Sequence, residues 1–109
     1  EVLWDWGVPT AVSIVECADL GMTTIATGGI RTGLDVARAI ALGARACGIA
    51  RPLLQAYERE GERGVEHELD VIEATLRAVL TLTGSRDLSA LRTAERVIVG
   101  ELAAWVRAR

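Results

Sequence analysis

The clearest pattern in the chain is TIATGGIRTGLDVARAIALGARACGIARP, at residues 24–52. An apolar, β-branched segment at residues 22–27 (MTTIAT) stops at Gly28 and Gly29, as a strand followed by a tight turn does. A second segment at residues 46–50 (ACGIA) is small and apolar throughout, which is typical of a strand buried on both faces. The pattern therefore predicts two strands, with a glycine turn after the first.

A helix is predicted between these strands. Thr32, followed three residues later by Asp35, matches the pattern of a helix start, and Gly43 stands where the helix should end. Strands joined by one helix over so few residues lie parallel, because a parallel pair needs a crossover and an α-helix is the usual one. Both strands then finish at the same edge of the sheet, which is where ligands bind in α/β proteins.

The glycine pair makes this edge a candidate phosphate site. Glycines let backbone amides approach an anion with no Cβ in the way. A plain strand-to-helix connection is the alternative interpretation of the same pair, because glycine-rich turns of this kind are common. The stretch also contains four arginines that could bind one anionic ligand: Arg31, Arg38, Arg45 and Arg51.

Helices are predicted for most of the remaining chain. Their periodic apolar residues and glycine ends place them at residues 10–20, 53–60, 65–83, about 87–91 and 101–107, with an extended segment at 97–99. The polar EGERG stretch at residues 60–64 predicts a boundary between a first unit, residues 1–60, and a second, helical unit, residues 61–109. The first helix has no strand before it, so the order begins inside a β/α repeat.

Composition excludes several classes of protein. The chain has 109 residues, 50% hydrophobic and 25% charged, which is an ordinary balance for one globular domain. A net charge of −3 argues against a general nucleic-acid binder. No apolar run reaches the length of a membrane span, and the amino terminus has neither a basic start nor an initiating Met. We therefore expect a cytoplasmic chain, cut from a longer one.

Four motifs resemble one enzyme family over essentially the whole chain. They are DWGVPTAVSIVE at residues 5–16, the central stretch extended to residue 54, LTLTGS at residues 80–85 and RVIVGELAAWVRAR at residues 96–109. Together they resemble the carboxyl-terminal third of the type 2 isopentenyl diphosphate isomerases. That family is similar in fold to the FMN-dependent hydroxy-acid oxidases and dehydrogenases, (β/α)8 TIM barrels that hold the flavin phosphate in the loops after strands seven and eight.

The resemblance implies an α/β fold, a carboxyl-terminal fragment of a (β/α)8 TIM barrel. Residues 22–27 would be strand seven, residues 46–50 strand eight, residues 53–60 a small extra helix and residues 65–83 helix eight. The first unit would carry the FMN phosphate loops, and the helices of the second unit would pack on the barrel.

The resemblance also implies two flavin-binding loops, whose backbone amides would hold the FMN phosphate. They consist of Gly28, Gly29, Ile30 and Arg31 after the first strand, and of Ala50 and Arg51 after the second. Arg31 could contact the phosphate or merely pair with a carboxylate. The family's substrate, magnesium and flavin-ring residues lie mostly upstream, so no catalytic residue and no metal ligand is assigned in this chain.

The activity implied by the resemblance is that of an isopentenyl diphosphate delta-isomerase of isoprenoid biosynthesis. Such an enzyme interconverts isopentenyl and dimethylallyl diphosphate with reduced FMN, with NADPH as reductant and with Mg²⁺. We expect the full-length parent to be a homo-oligomer, with a small diphosphate as substrate and neither nucleic acid nor membrane as partner. The isolated fragment should be inactive, because two of eight strands cannot close a barrel.

Two alternatives stay open. One is a fragment of an FMN-dependent 2-hydroxy acid oxidase or dehydrogenase, and the other is a catalytically silent barrel piece. The isomerase is favoured because DWGVPT is characteristic of it, and because the oxidases usually have two adjacent arginines where this chain has Arg31 and Thr32. His67 is interpreted as a solvated histidine, Cys17 and Cys47 lack metal-binding spacing, and the tryptophans of residues 1–7 could line a site or cover a barrel end.

Overall fold

A computed structural model describes residues 7–108 of the chain. The elements are α1 (Thr10–Asp19), β1 (Ile25–Ala26), α2 (Gly33–Ala41), β2 (Ala46–Cys47), α3 (Arg51–Glu60), α4 (Glu62–Leu82), α5 (Leu88–Thr93) and α6 (Glu101–Ala108). The interpretation of Trp4 and Trp6 lies outside the described residues.

The two strands are parallel, as the crossover predicts. Ile25 pairs with Ala46 and Ala26 with Cys47. Two short bonds flank this register: the Arg45 amide donates to the Thr24 carbonyl at 2.7 Å, and the Gly48 amide donates to the Ala26 carbonyl at 2.7 Å. The carboxyl ends of β1 and β2 therefore lie side by side.

The strands are shorter than the sequence predicts. We expected strands over residues 22–27 and 46–50, but pairing is confined to two residues in each strand. Within residues 7–108 each strand has one neighbour, and a two-stranded pair is marginal because nothing on the outer edges holds further residues in register.

The sheet is also covered on one face only. Ala26 is buried against the core, whereas Ile25 is 67% exposed. The prediction that the second strand is buried on both faces is therefore wrong in this structure, since Ala46 is exposed and Cys47 is half-buried. The physical reason is that the described residues supply a helical layer to one side of the pair and none to the other.

The core lies between the buried face of the strands and helices α2 and α4. Its buried members are Ile14, Ala26, Ile30, Val36, Ala37, Ala39, Ile40, Ala44, Ile72 and Leu91. The α2 residues among them recur every three or four positions, which is the spacing that puts side chains on one face of a helix. The opposite face of α2 carries Arg38, which is exposed.

Helices α3 and α4 begin earlier than predicted. We placed their starts at Leu53 and Val65, but α3 begins at Arg51 and α4 at Glu62. Only Gly61, with φ of 65°, separates the two helices. The EGERG stretch is therefore a sharp helix-to-helix corner and not an extended polar link. The division of the chain at residue 60 stays a prediction.

Helix α4 has one side against the core and one side open. Ile72 is buried, but Leu69, which lies three positions earlier on the same helix, is 47% exposed. No helix within residues 7–108 is both long enough and apolar enough to cross a membrane. Residues 95–99 have no regular secondary structure, and α6 packs near α1.

Helices α2 and α4 meet at Gly33, the first residue of α2. A Cβ added to Gly33 would lie 2.6 Å from the Ile72 carbonyl oxygen and 2.6 Å from the Thr75 Cβ. Both atoms belong to α4, and one of them is backbone, so they cannot move aside cheaply. A residue without a side chain is thus required where the two helices touch.

We expect Gly33→Ala to destabilise the protein by about 1 to 2 kcal/mol, because the clash outweighs the better helix propensity of alanine. Urea unfolding measures the change. Gly7→Ala is the control, since a Cβ at Gly7 meets no atom of the described residues within 4 Å, and it should alter the free energy of unfolding by less than about 0.5 kcal/mol. Equal stability of the two variants would contradict the close contact.

Candidate functional site

The glycine pair after β1 has a backbone conformation that suits glycine alone. Gly28 has φ of 85° and Gly29 has φ of 79°, in the left-handed region that other residues rarely adopt. A Cβ added to Gly29 would meet no atom of residues 7–108 within 4 Å, so that side of the turn is open in the described part of the chain. In the described part of the chain the amides of Gly28 and Gly29 donate no hydrogen bond. The turn therefore leaves two backbone donors available.

Thr10 anchors the start of this turn. Its Oγ1 donates to the Gly28 carbonyl at 3.1 Å across 18 positions of sequence. Thr10 is the first residue of α1, so the bond ties the amino end of that helix to the end of β1. No pattern in the sequence points to Thr10, because only the fold brings the two segments together.

Ile30 and Asp35 anchor the end of the turn. The Ile30 side chain is buried in the core, so only its backbone can face a ligand. Asp35 Oδ2 accepts from the Arg31 amide at 3.1 Å and from the Thr32 amide at 3.3 Å, and Thr32 Oγ1 accepts from the Asp35 amide at 3.1 Å. The capping box predicted from Thr32 and Asp35 is thus confirmed. The Arg31 amide is bound to Asp35 and is not free for a ligand.

The second loop ends at the amino terminus of α3. Ala50 occupies the N-cap and offers no side-chain hydrogen bond, Pro52 lies in the first turn, and that turn holds no acidic residue. The first amides of a helix have no acceptor inside it, and the helix dipole puts positive charge at this end. The amino end of α3 is thus an uncapped, electropositive point, with Arg51 as its first residue.

The two loops meet in one concave site of about 320 Å³. It is lined by Thr27, Gly28, Gly29, Ile30, Arg31, Gly48, Ala50, Arg51 and Pro52. All six residues singled out from the sequence are among these. Thr27, Gly48 and Pro52 were not singled out, although Thr27 and Pro52 each adjoin one of the six in the sequence and Gly48 lies two positions before Ala50. A Cβ on Gly48 would lie 3.2 Å from Thr27 Oγ1, so glycine keeps the two strand ends close.

Two of the four arginines line this site, and two do not. Arg31 and Arg51 line it, are exposed, and form no ion pair with another residue of the described chain. Arg38 instead lies 3.7 Å from Asp35 Oδ1. Arg45 lines a separate concavity of about 270 Å³ with Gly21, Gly43 and Arg92. The expectation that all four could serve one anion is wrong, because Arg38 faces Asp35 and Arg45 precedes β2, at the end of the strand opposite the site.

The residues that the structure describes bring no cysteine, histidine or metal-binding cluster to the site. Burial raises the pKa of the Cys47 thiol, so near neutral pH it is protonated and unreactive. Its Sγ donates a weak hydrogen bond to the Val36 carbonyl at 3.9 Å. Cys17 is a half-buried free thiol, and His67 lies exposed on α4. Among residues 7–108 no group of three or more His, Cys, Asp or Glu side chains could hold a metal ion.

The Thr10 anchor can be tested by Thr10→Val. Loss of the bond from its Oγ1 to the Gly28 carbonyl should let the glycine turn move, so the ¹⁵N order parameters of Gly28 and Gly29 should fall below about 0.6. Thr81→Val is the matched control, because its hydroxyl bonds only the Arg77 carbonyl within α4. The order parameters of the glycine pair should be unchanged in the control. Equal order parameters there in both variants would show that Thr10 does not hold the turn.

Comparison with known proteins places this geometry in a family. Residues 8–98 match the family model described as FMN-dependent dehydrogenase. An isopentenyl-diphosphate delta-isomerase of Thermoplasma acidophilum is 38% identical over 109 residues, which cover 100% of this chain and 31% of that protein. The isopentenyl-diphosphate delta-isomerase of Symbiobacterium thermophilum is 43% identical over 110 residues, covering 98% of this chain and 30% of that protein. The chain thus spans about 30% of the length of these curated relatives.

Solved structures of mandelate oxidase resemble the fold. One, with a monooxide FMN adduct, is 33% identical with a TM-score of 0.74, covering 84% of this chain and 30% of that chain. Another, with (S)-2-phenylpropionate, has the same identity and TM-score and covers 84% of this chain and 28% of the other. The likeness confirms the predicted fold class, an α/β piece of a (β/α)8 barrel.

Proposed function

The chain belongs to the FMN-dependent dehydrogenase family, and we propose that its glycine edge holds the phosphate of FMN in an isopentenyl diphosphate delta-isomerase. The observation that carries the proposal is the meeting of the two loops, after β1 and after β2, in one concave site. The residues proposed to hold the phosphate are Gly28, Gly29, Ile30, Arg31, Ala50 and Arg51.

The chemistry of the site fits a phosphate dianion. The glycine turn offers backbone amides with no Cβ over them, and the uncapped end of α3 adds further amides and a favourable dipole. The Arg31 and Arg51 guanidinium groups form no ion pair within residues 7–108 and could add charge-assisted hydrogen bonds. Because the Arg31 amide is held by Asp35, we assign Arg31 a side-chain contact and not a backbone one.

The isomerase is favoured over an oxidase by sequence likeness. The archaeal and bacterial relatives that align along the whole chain are named for the isomerase reaction. The mandelate oxidase structures support the shared fold and the shared flavin. When bound in its reduced form, FMN would supply the reactive ring at which the substrate's double bond is moved. The residues of this chain would hold and orient that cofactor by its phosphate.

The remaining parts of the proposal rest on family resemblance. The parent enzyme would use NADPH to reduce the flavin and Mg²⁺ to bind the diphosphate substrate, with ligands outside residues 7–108. It would work as a homo-oligomer in the cytoplasm. Residues 1–60 would carry the phosphate loops, and the helices of residues 61–109 would pack on the outside of the barrel.

Gly29→Val tests the phosphate site. A side chain at Gly29 enters the open side of the turn, so FMN affinity should fall more than tenfold, equivalent to about 1.4 kcal/mol. The left-handed backbone of Gly29 means that valine also strains the turn. The test therefore needs a control variant with equal backbone strain. The FMN affinity of both variants is measured by flavin fluorescence quenching in the protein expressed from its natural gene.

Gly21→Val is that control. Gly21 has φ of 74°, and a Cβ there meets nothing within 4 Å among residues 7–108. It lies just after α1, outside the concave site. Its FMN affinity should stay within about twofold of the wild type, since backbone strain alone does not touch the phosphate. If both variants lose affinity equally, or Gly29→Val loses none, the glycine pair is only a turn.

The activity itself is tested with isopentenyl diphosphate, Mg²⁺ and reduced FMN. The protein expressed from its natural gene should form dimethylallyl diphosphate, followed by proton NMR. Residues 1–109 alone should form none, because two strands cannot close the barrel. Oxidation of a 2-hydroxy acid without any isomerisation would contradict the proposal in favour of an oxidase.

A further inference from the structure

Asp35 connects the glycine turn to the helix that follows it. Its Oδ2 accepts two amides, from Arg31 at 3.1 Å and from Thr32 at 3.3 Å, while its Oδ1 lies 3.7 Å from an Arg38 guanidinium nitrogen. The carboxylate thus holds the two residues at which the turn passes into α2. The ion pair with Arg38 is largely exposed and adds little.

The two helix amino ends at this edge differ in charge. The first turn of α2 contains Asp35, whereas the first turn of α3 has no acidic residue and no side-chain cap. A carboxylate at a helix amino end neutralises the positive end of the dipole and repels a second anion. A phosphate dianion in the shared site is therefore directed away from α2 and toward α3.

The glycine turn is held at both ends and free between them. Thr10 Oγ1 binds the Gly28 carbonyl at one end, and Asp35 binds the Arg31 amide at the other. Gly28 and Gly29, between the two anchors, have left-handed backbones and open space at Gly29. Without the second anchor, two glycines would be free to reorient their amides at little steric cost.

We propose that Asp35 is a positioning residue for the FMN phosphate. Its carboxylate fixes the end of the glycine turn and caps the amino end of α2. The phosphate then binds between the glycine turn and the amino end of α3. The proposal rests on the proposed function, because it needs a phosphate at this edge. It concerns only the phosphate end of the flavin and predicts no effect on the flavin ring.

The experiment compares FMN with riboflavin, which has the same ring and no phosphate. Both are titrated by fluorescence quenching into the protein expressed from its natural gene. Asp35→Ala should weaken FMN binding by about tenfold and leave riboflavin binding within about twofold, because only the phosphate contacts are displaced. Asp35→Glu should restore most of the FMN affinity, since glutamate is the commoner partner in a capping box.

Asp87→Ala is the matched control for the lost helix cap. Asp87 is the N-cap of α5, where its Oδ1 accepts from the Ala90 amide at 2.8 Å, outside the concave site. Asp87→Ala should lower the free energy of unfolding, measured in urea, by about as much as Asp35→Ala does, without any loss of FMN affinity. A merely structural role of Asp35 would weaken FMN and riboflavin binding equally, and that result overturns the proposal.

The other outcomes are also decisive. If the wild type prefers FMN to riboflavin and Asp35→Ala keeps that preference, Asp35 does not position the phosphate, although the phosphate site stands. If the wild type binds FMN and riboflavin equally well, the proposed function fails at this edge, and the role of Asp35 fails with it. Loss of FMN preference in Asp35→Ala with recovery in Asp35→Glu supports the proposal.

Discussion

The parallel pairing of β1 with β2 is the constraint on which the rest of the structure depends. Only four residues form the ladder, yet the pairing fixes the two strand ends at one edge. A helix of 9 residues between them sets the crossover, and its buried face supplies much of the core. If the strands were antiparallel or out of register, the glycine turn and the amino end of α3 would lie apart.

The character of the site comes from backbone more than from side chains. The glycine turn and the start of α3 contribute amides, and the two arginines contribute charge at the rim. The net charge of the chain is −3, so attraction of an anion to this edge is a local property and not a property of the whole surface. Among residues 7–108, the Asp35 carboxylate accepts hydrogen bonds from the Arg31 and Thr32 amides, which limits its repulsion of a phosphate.

Much of the fold could be predicted from the sequence, because its signals are local. Strand, glycine turn, capped helix and strand each have a pattern within about ten residues, and their parallel order follows from the short crossover. The lengths of the strands could not be predicted, since they depend on neighbours on both sides of the sheet. The start of α4 was missed for a related reason: EGERG is polar like a link, but Gly61 and Gly64 allow two helices to meet closely.

The parts of the site that are formed by neighbouring residues could be predicted from the sequence, whereas the contacts between distant segments could not. Gly28 and Gly29 can be recognised as a glycine pair that directly follows a strand pattern, and the family resemblance pointed to Ala50 and Arg51. The bond from Thr10 to Gly28 spans 18 positions, and no local pattern in the sequence reports such a contact. The separation of Arg38 and Arg45 from the site likewise depends on the fold, because Arg38 lies on the exposed face of α2 and Arg45 precedes β2, at the end of the strand opposite the site.

The most direct test of the phosphate edge is glycine-selective ¹⁵N NMR of the protein expressed from its natural gene. Addition of FMN should move the amide signals of Gly28 and Gly29, while those of Gly21 and Gly84, which have similar backbone angles outside the site, stay in place. Riboflavin should leave all four unmoved, because it lacks the phosphate. Equal shifts of Gly28 and Gly29 with FMN and riboflavin, or no shift with bound FMN, would contradict the account.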